Sequence, residues 1–196
     1  MDKETTLTKA MNGRIHIILG CMYSGKSTEL QRIIHRMNVI QSNYLVINHS
    51  IDTRYSEEGG IVTHNQTRIP CMSTNSLMEV INTKKFKEAN SILIEEAQFF
   101  SDLFEFATLC ADKYNKEVIV VGLSGDYKRE PFRDMCKLIP HAETITKLTA
   151  LCVLCKDGTL AHFSKKISQE NTSSHQIDVG STEKYIAVCR KHYNLS

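Results

Sequence analysis

Residues 20–28 read GCMYSGKST and set Gly20, Gly25, Lys26 and Ser27 in the spacing G-x-x-x-x-G-K-[ST]. In a loop of this kind, successive backbone N–H groups and the positive end of the following helix surround phosphate oxygens, and glycine lets the backbone come close. Lys26 adds charge at the outer phosphates, and Ser27 offers a hydroxyl to Mg²⁺, which takes oxygen donors. A second group is the acid pair Glu95 and Glu96, which closes the apolar run SILIEE. A phosphate loop needs one carboxylate at the end of a neighbouring strand to hold Mg²⁺, usually through water, and a phosphoryl acceptor needs a general base. Adjacent strand residues face opposite ways, so the two acids divide these tasks unless the strand ends between them. A third group is Cys152, Cys155, Cys189 and His192, two pairs whose donors suit closed, tetrahedral Zn²⁺. Four protein ligands leave no position for a reacting water, so this metal staples a small appendage that buries little surface of its own.

The flanking stretches supply the elements that must position these groups. Residues 14–19 (RIHIIL) read as a buried strand ending at a glycine, and residues 28–40 carry Leu30, Ile33, Ile34, Met37 and Ile40 at helical spacing. Strand, glycine loop and amphipathic helix are the setting a phosphate loop requires. Further strands are expected at 43–48, 91–96 and 117–123, and helices at 77–88 and 103–114. Strands alternating with helices imply a mostly parallel sheet covered on both faces, which binds ligands at the carboxyl ends of its strands. The loops at 52–55, 96–100 and 124–132 are therefore assigned to the site.

With 196 residues the chain has room for one α/β domain and a small appendage. A formal net charge of +2 gives no field that would gather nucleic acid or an anionic membrane without specific sites. Basic residues are interspersed with acids, as in KKFKE at 84–88, which reads as a solvated helix face. The polar start MDKETTLTK lacks the apolar core of a signal peptide, and the apolar runs are too short to span a bilayer; a cytoplasmic location is expected. Seven cysteines in a reducing compartment read as thiols or metal ligands, and the isolated Cys21, Cys71, Cys110 and Cys136 read as buried apolar side chains.

Taken together, several stretches resemble the zinc-containing (type II) thymidine kinases over nearly the whole chain after the first dozen residues. The resemblance implies a RecA-like P-loop α/β domain at 13–148, a zinc-anchored lasso at 149–196 and a flexible terminus at 1–12. It further implies ATP, Mg²⁺ and structural Zn²⁺ as cofactors, thymidine as acceptor, feedback inhibition by thymidine triphosphate and a homotetramer. In GCMYSGKST, Cys21 stands where proline is common and Tyr23 where phenylalanine is; Gly20 to Ser27, with Met22 and Ser24, form the implied ATP loop. DTRY at 52–55 resembles the family's D-x-R-Y element and implies that Arg54 approaches the transferred phosphoryl group, compensating its charge, with Asp52 part of the ATP site. EEAQFF at 95–100 resembles D-E-[AG]-Q-F-F, which makes Glu96 the implied base, Glu95 the acid on the Mg²⁺ side and Gln98 part of the ATP site. The first acid is glutamate here where the family has aspartate, one methylene longer. LSGDYKREPF at 123–132 implies that Leu123, Tyr127 and Phe132, with Met22 and Phe99, line the nucleoside pocket. The lasso resemblance assigns Gln176, Ile177, Asp178, Val179 and Gly180 to the thymine edge, Tyr185 to the sugar side and Ser164 to the 5-methyl group. The chain ends four residues past His192, as compact microbial and viral members do.

A reading of another class is a nucleic-acid-binding P-loop ATPase whose zinc knuckle grips the polymer. The near-neutral charge and the lack of a basic, aromatic-interleaved stripe around 152–192 weigh against it.

Overall fold

The computed structural model describes residues 13–51, 60–62, 68–167 and 184–195. Its centre is a six-stranded sheet of order β5-β2-β6-β7-β1-β8, with every neighbouring pair parallel. The strands are β1 (Arg14–Gly20), β2 (Tyr44–His49), β5 (Met72–Thr74), β6 (Ser91–Glu95), β7 (Glu117–Gly122) and β8 (Thr144–Leu148). A short antiparallel hairpin, β3 (Gly60–Val62) with β4 (Arg68–Pro70), precedes β5.

The near-continuous apolar runs follow from burial on both faces. Ile17 and Leu19 point with Ile92, Ile94, Val118 and Val120 into one layer, closed by α3 (Leu103–Asp112) through Leu103, Phe106, Ala107 and Cys110. Ile18 points the other way with Leu93, Ile119 and Val121, against α1 (Lys26–Val39) and its Leu30, Ile34 and Met37. Side chains alternating along each strand thus fill two cores from one sequence run.

Helix limits differ from the sequence expectation where a polar side chain intervenes. α1 starts two residues before the expected Thr28, because Gly25 in the left-handed region ends the loop and opens the helix. The helix expected over 77–88 is two pieces, a 3₁₀ turn at Met78–Asn82 and α2 at Lys84–Glu88. Thr83 separates them: its extended backbone leaves the helix, its hydroxyl donates to the Val80 carbonyl at 2.7 Å and accepts from Phe86 N–H at 3.2 Å. A threonine that satisfies a free N–H in this way caps a new helix in preference to continuing the old one.

Strand order corrects another expectation. β6, which carries Glu95, is not next to β1; β7 lies between them. A strand inserted between the phosphate-loop strand and the acid-bearing strand is the RecA-like arrangement.

After β8 come four short strands, β9 (Ala150–Leu151), β10 (Leu160–Ala161), β11 (Phe163–Lys166) and β12 (Tyr185–Val188), then α4's successor α5 (Arg190–Asn194); α4 itself (Arg133–Lys137) precedes β8. β9 pairs with β10 and β11 with β12, both antiparallel. Their buried cluster is small, Ala150, Cys152, Ala161, Ala187, Val188 and Cys189, and Cys21 of the glycine loop completes it. No helix among the described residues is long and apolar enough to cross a membrane.

Candidate active site

β1 delivers the chain to the carboxyl edge of the sheet at Gly20, and α1 leaves from Lys26. Gly25 has φ +84°, a backbone that L side chains rarely adopt, and Gly20 is packed so closely on the Ser24 hydroxyl that no Cβ fits. Gly25 thus has a conformational reason and Gly20 a steric one. Lys26 Nζ donates to the Cys21 carbonyl at 2.9 Å, so its ammonium lies folded along the inside of the loop. Ser27 donates its hydroxyl to Glu95 Oε1. The longer glutamate side chain thus reaches the start of α1 across the end of β7, and Glu95 is only 2% exposed.

The acid pair separates because the strand ends between its members. Glu95 closes β6, and Glu96 turns into the left-handed region at φ 48°, ψ 41° before a 3₁₀ turn, Ala97–Phe99. A non-glycine residue there is uncommon and strained, and here it re-aims a carboxylate. Glu96 Oε2 accepts from Gln98 Nε2 at 2.6 Å, while Gln98 Oε1 accepts from Leu123 N–H at 3.1 Å. Gln98 is buried, and Gly122 makes room for it: a Cβ there would lie 2.5 Å from Gln98 Oε1.

Around this edge stand the expected pocket residues. Phe99 and Leu123 are half-buried, whereas Phe132 lies in the hydrophobic core at 7% exposure, behind the loop. Tyr127 faces Tyr185 with ring centroids 6.1 Å apart. Met22 N–H donates to the Ser164 hydroxyl at 3.0 Å, which ties the glycine loop to β11. Cys21 Sγ does the same to the Ala161 carbonyl at 3.4 Å. The assigned Asp52, Arg54 and Gln176 to Gly180 lie outside the described residues. His49, which ends β2 at the same edge of the sheet, packs its ring 4.7 Å from Phe100 and 6.0 Å from Phe99.

Cys152, Cys155, Cys189 and His192 converge so that their ligand atoms all lie within 4.8 Å of one another. His192 Nδ1 sits 3.4, 3.3 and 3.5 Å from the sulfurs of Cys152, Cys155 and Cys189. Three thiols and one imidazole converging on a point are a donor set that fits tetrahedral zinc. Burial opposes ionisation of the Cys152 thiol, but backbone N–H donors at Cys189, Cys155 and Leu154, with His192, bring it down to about 6. Burial and the neighbouring Cys152 thiol push Cys155 the other way, up to about 11, so the thiols of the cluster are unequal. Among the isolated cysteines, burial pushes Cys110 up to about 12 and raises Cys21 and the half-buried Cys136.

A glycine loop between a central parallel strand and a helix, with a buried acid on the helix's first serine, defines a P-loop nucleotide-binding protein. A family model described as "Thymidine kinase" matches residues 13–193, and the chain belongs to that family. It is 45% identical over 183 residues to a thymidine kinase of Yaba monkey tumor virus, covering 93% of this chain and 95% of the relative. Thymidine kinase of Myxoma virus (strain Uriarra) is 40% identical, over 92% of this chain and 96% of its own length. Thymidine kinase a of Arabidopsis thaliana is 38% identical, over 98% of this chain and 79% of its own length.

Proposed function

We propose that the chain transfers the γ-phosphoryl group of ATP to the 5′-hydroxyl of thymidine, giving thymidine 5′-monophosphate and ADP. Beside family membership, the observation that carries this reading is the parting of the two acids. Glu95 is committed to Ser27 at the phosphate loop, and Glu96 is turned away from it into a left-handed bend. One acid serves the nucleotide and the other is left to serve the acceptor.

In the reaction the 5′-oxygen forms a bond to the γ-phosphorus as the bond from that phosphorus to the β,γ-bridging oxygen breaks. Glu96 takes the hydroxyl proton, and ADP leaves with the bridging oxygen. The loop Gly20, Cys21, Met22, Tyr23, Ser24 and Gly25 wraps the phosphates, and Lys26 swings from the Cys21 carbonyl to the outer ones. Arg54 is assigned to the transferred group, where its guanidinium offsets spreading charge, and Asp52 to the ATP site. Ser27 and Glu95 are oxygen donors in contact and fit Mg²⁺, which when bound neutralises charge on the β- and γ-phosphate oxygens. Gln98 orients Glu96. Met22, Phe99, Leu123, Tyr127 and Tyr185 line the nucleoside pocket, Phe132 backs it from the core, and residues 176–180 read the thymine edge. Ser164, assigned to the 5-methyl end of the pocket, also accepts from the Met22 amide of the glycine loop, which supports the two sites lying side by side. Zn²⁺ at Cys152, Cys155, Cys189 and His192 is structural, and the active assembly is a homotetramer inhibited by thymidine triphosphate.

The test is ADP release by purified protein with ATP and Mg²⁺, stimulated in turn by thymidine, other nucleosides, single-stranded DNA and RNA. Thymidine-dependent ADP formation with equimolar thymidine 5′-monophosphate is expected. Stimulation by the polymers with none by thymidine would replace this reading with that of a nucleic-acid-driven ATPase.

A further inference from the structure

The loop of residues 123–132 carries Tyr127, and it is tightly braced from within. Asp126 Oδ1 accepts from Lys128 N–H at 2.8 Å and Glu130 N–H at 2.9 Å, and Gly125 bridges Pro131. Such a loop moves as a unit, so what fixes its tip sets where Tyr127 stands. Two contacts reach the tip from α5, the helix that carries His192. The Tyr193 hydroxyl donates to the Tyr127 carbonyl at 2.8 Å. The Arg129 guanidinium, on a residue with φ 68°, lies 4.4 Å from the centre of the Tyr193 ring. α5 is itself held down: Lys165 Nζ, on β11, donates to the carbonyls of His192, at 2.9 Å, and Leu195.

We propose that Tyr193 is a positioning residue for the nucleoside site, fixing the height of Tyr127 through a hydroxyl-to-carbonyl tie while its ring clasps Arg129. This rests on the nucleoside pocket proposed above. Its consequence is that the metal-bearing helix sets acceptor affinity directly, not only by stabilising the chain. The glycine loop is tied to the same unit through a different element, β11 at Ser164, so loss of the Tyr193 hydroxyl leaves the nucleotide side intact.

The experiment compares Tyr193→Phe and Tyr127→Ala with the parent, each as the full zinc-loaded chain, measuring KM for thymidine and for ATP, kcat, zinc content and thermal midpoint. Tyr193→Phe keeps the ring over Arg129 and removes one hydrogen bond. It is expected to raise the thymidine KM about three- to tenfold, the range one such bond covers, with ATP KM, zinc content and midpoint unchanged. A parallel rise in both KM values, or loss of zinc, marks a merely structural role and overturns the proposal. If Tyr127→Ala raises the thymidine KM and Tyr193→Phe does not, the tie is without effect and the pocket stands. If Tyr127→Ala leaves that KM unchanged, the pocket assignment fails, and the proposal with it.

Discussion

Gln98 has two ends that are not interchangeable. Leu123 N–H can only donate, so the amide oxygen faces it and the amide nitrogen must face Glu96. A carboxylate that receives an N–H is favoured in its ionised form, the form a general base needs. Replacing Gln98 by leucine removes that donor and leaves the Glu96 carboxylate without this brace. A fall in kcat with ATP binding retained is then expected, and an unchanged kcat contradicts the coupling. Gly122→Ala attacks the same contact from the other side, since its Cβ lies 2.5 Å from Gln98 Oε1. It is expected to lower turnover and cost about 1–3 kcal/mol of stability in a denaturation series. The convergence of the two Cys/His pairs and the contact of the phosphate loop with an acid were legible in the sequence because their spacing carries chemistry. Gln98 as a brace and Tyr193 were not, because an amide and a phenol gain their contacts here from partners distant in the chain.

Among the elements, the buried strands were readable as isoleucine- and valine-rich runs, while the sheet's two edges, β5 and β8, were not. β8 reads TITKL with mostly exposed side chains, so neither a continuous apolar run nor a clear period marks it. The break in the helix expected over 77–88 was hidden because threonine, unlike proline or glycine, breaks a helix only when its hydroxyl finds a partner. Thr83→Ala removes the Phe86 cap far from the site. It is expected to cost about 1 kcal/mol in chemical denaturation with kcat and both KM values unchanged, and a change in activity would contradict the separation of that element from catalysis. Gly25→Ala meets no steric obstacle, yet its backbone at φ +84° strains any L side chain. A loss of about 1–2 kcal/mol with a higher KM for ATP is expected, because the strain is relieved by distorting the phosphate loop.

On the scale of the whole molecule, the division proposed at residues 148/149 separates units that share one hydrophobic cluster, since Cys21 of the glycine loop packs with Cys152 and Cys189. A cluster of that size gives little stability alone, so the four ligands matter in proportion. Metal analysis is expected to find about one zinc per chain; Cys189→Ser is expected to lose it and to lower the thermal midpoint. A stable, active, metal-free chain would contradict the zinc assignment. Light scattering is expected to give about four times the mass of one chain, in line with closed oligomeric symmetry. The resemblance made this overall plan readable before any coordinates, but it left open how the two units touch. Beside the shared cluster and ring contacts, those contacts include single hydrogen bonds at Met22, Cys21 and Tyr127, which no motif announces.

Glu96, turned out of β6 by a left-handed bend, is proposed to remove the proton of the acceptor hydroxyl. Turnover of Glu96→Gln with ATP and thymidine, alongside nucleotide binding and thermal stability, tests this. A fall in kcat of about 10²- to 10⁴-fold, with ATP binding and folding retained, is expected. Turnover close to that of the parent chain, in a folded and nucleotide-binding variant, means that another group takes the proton.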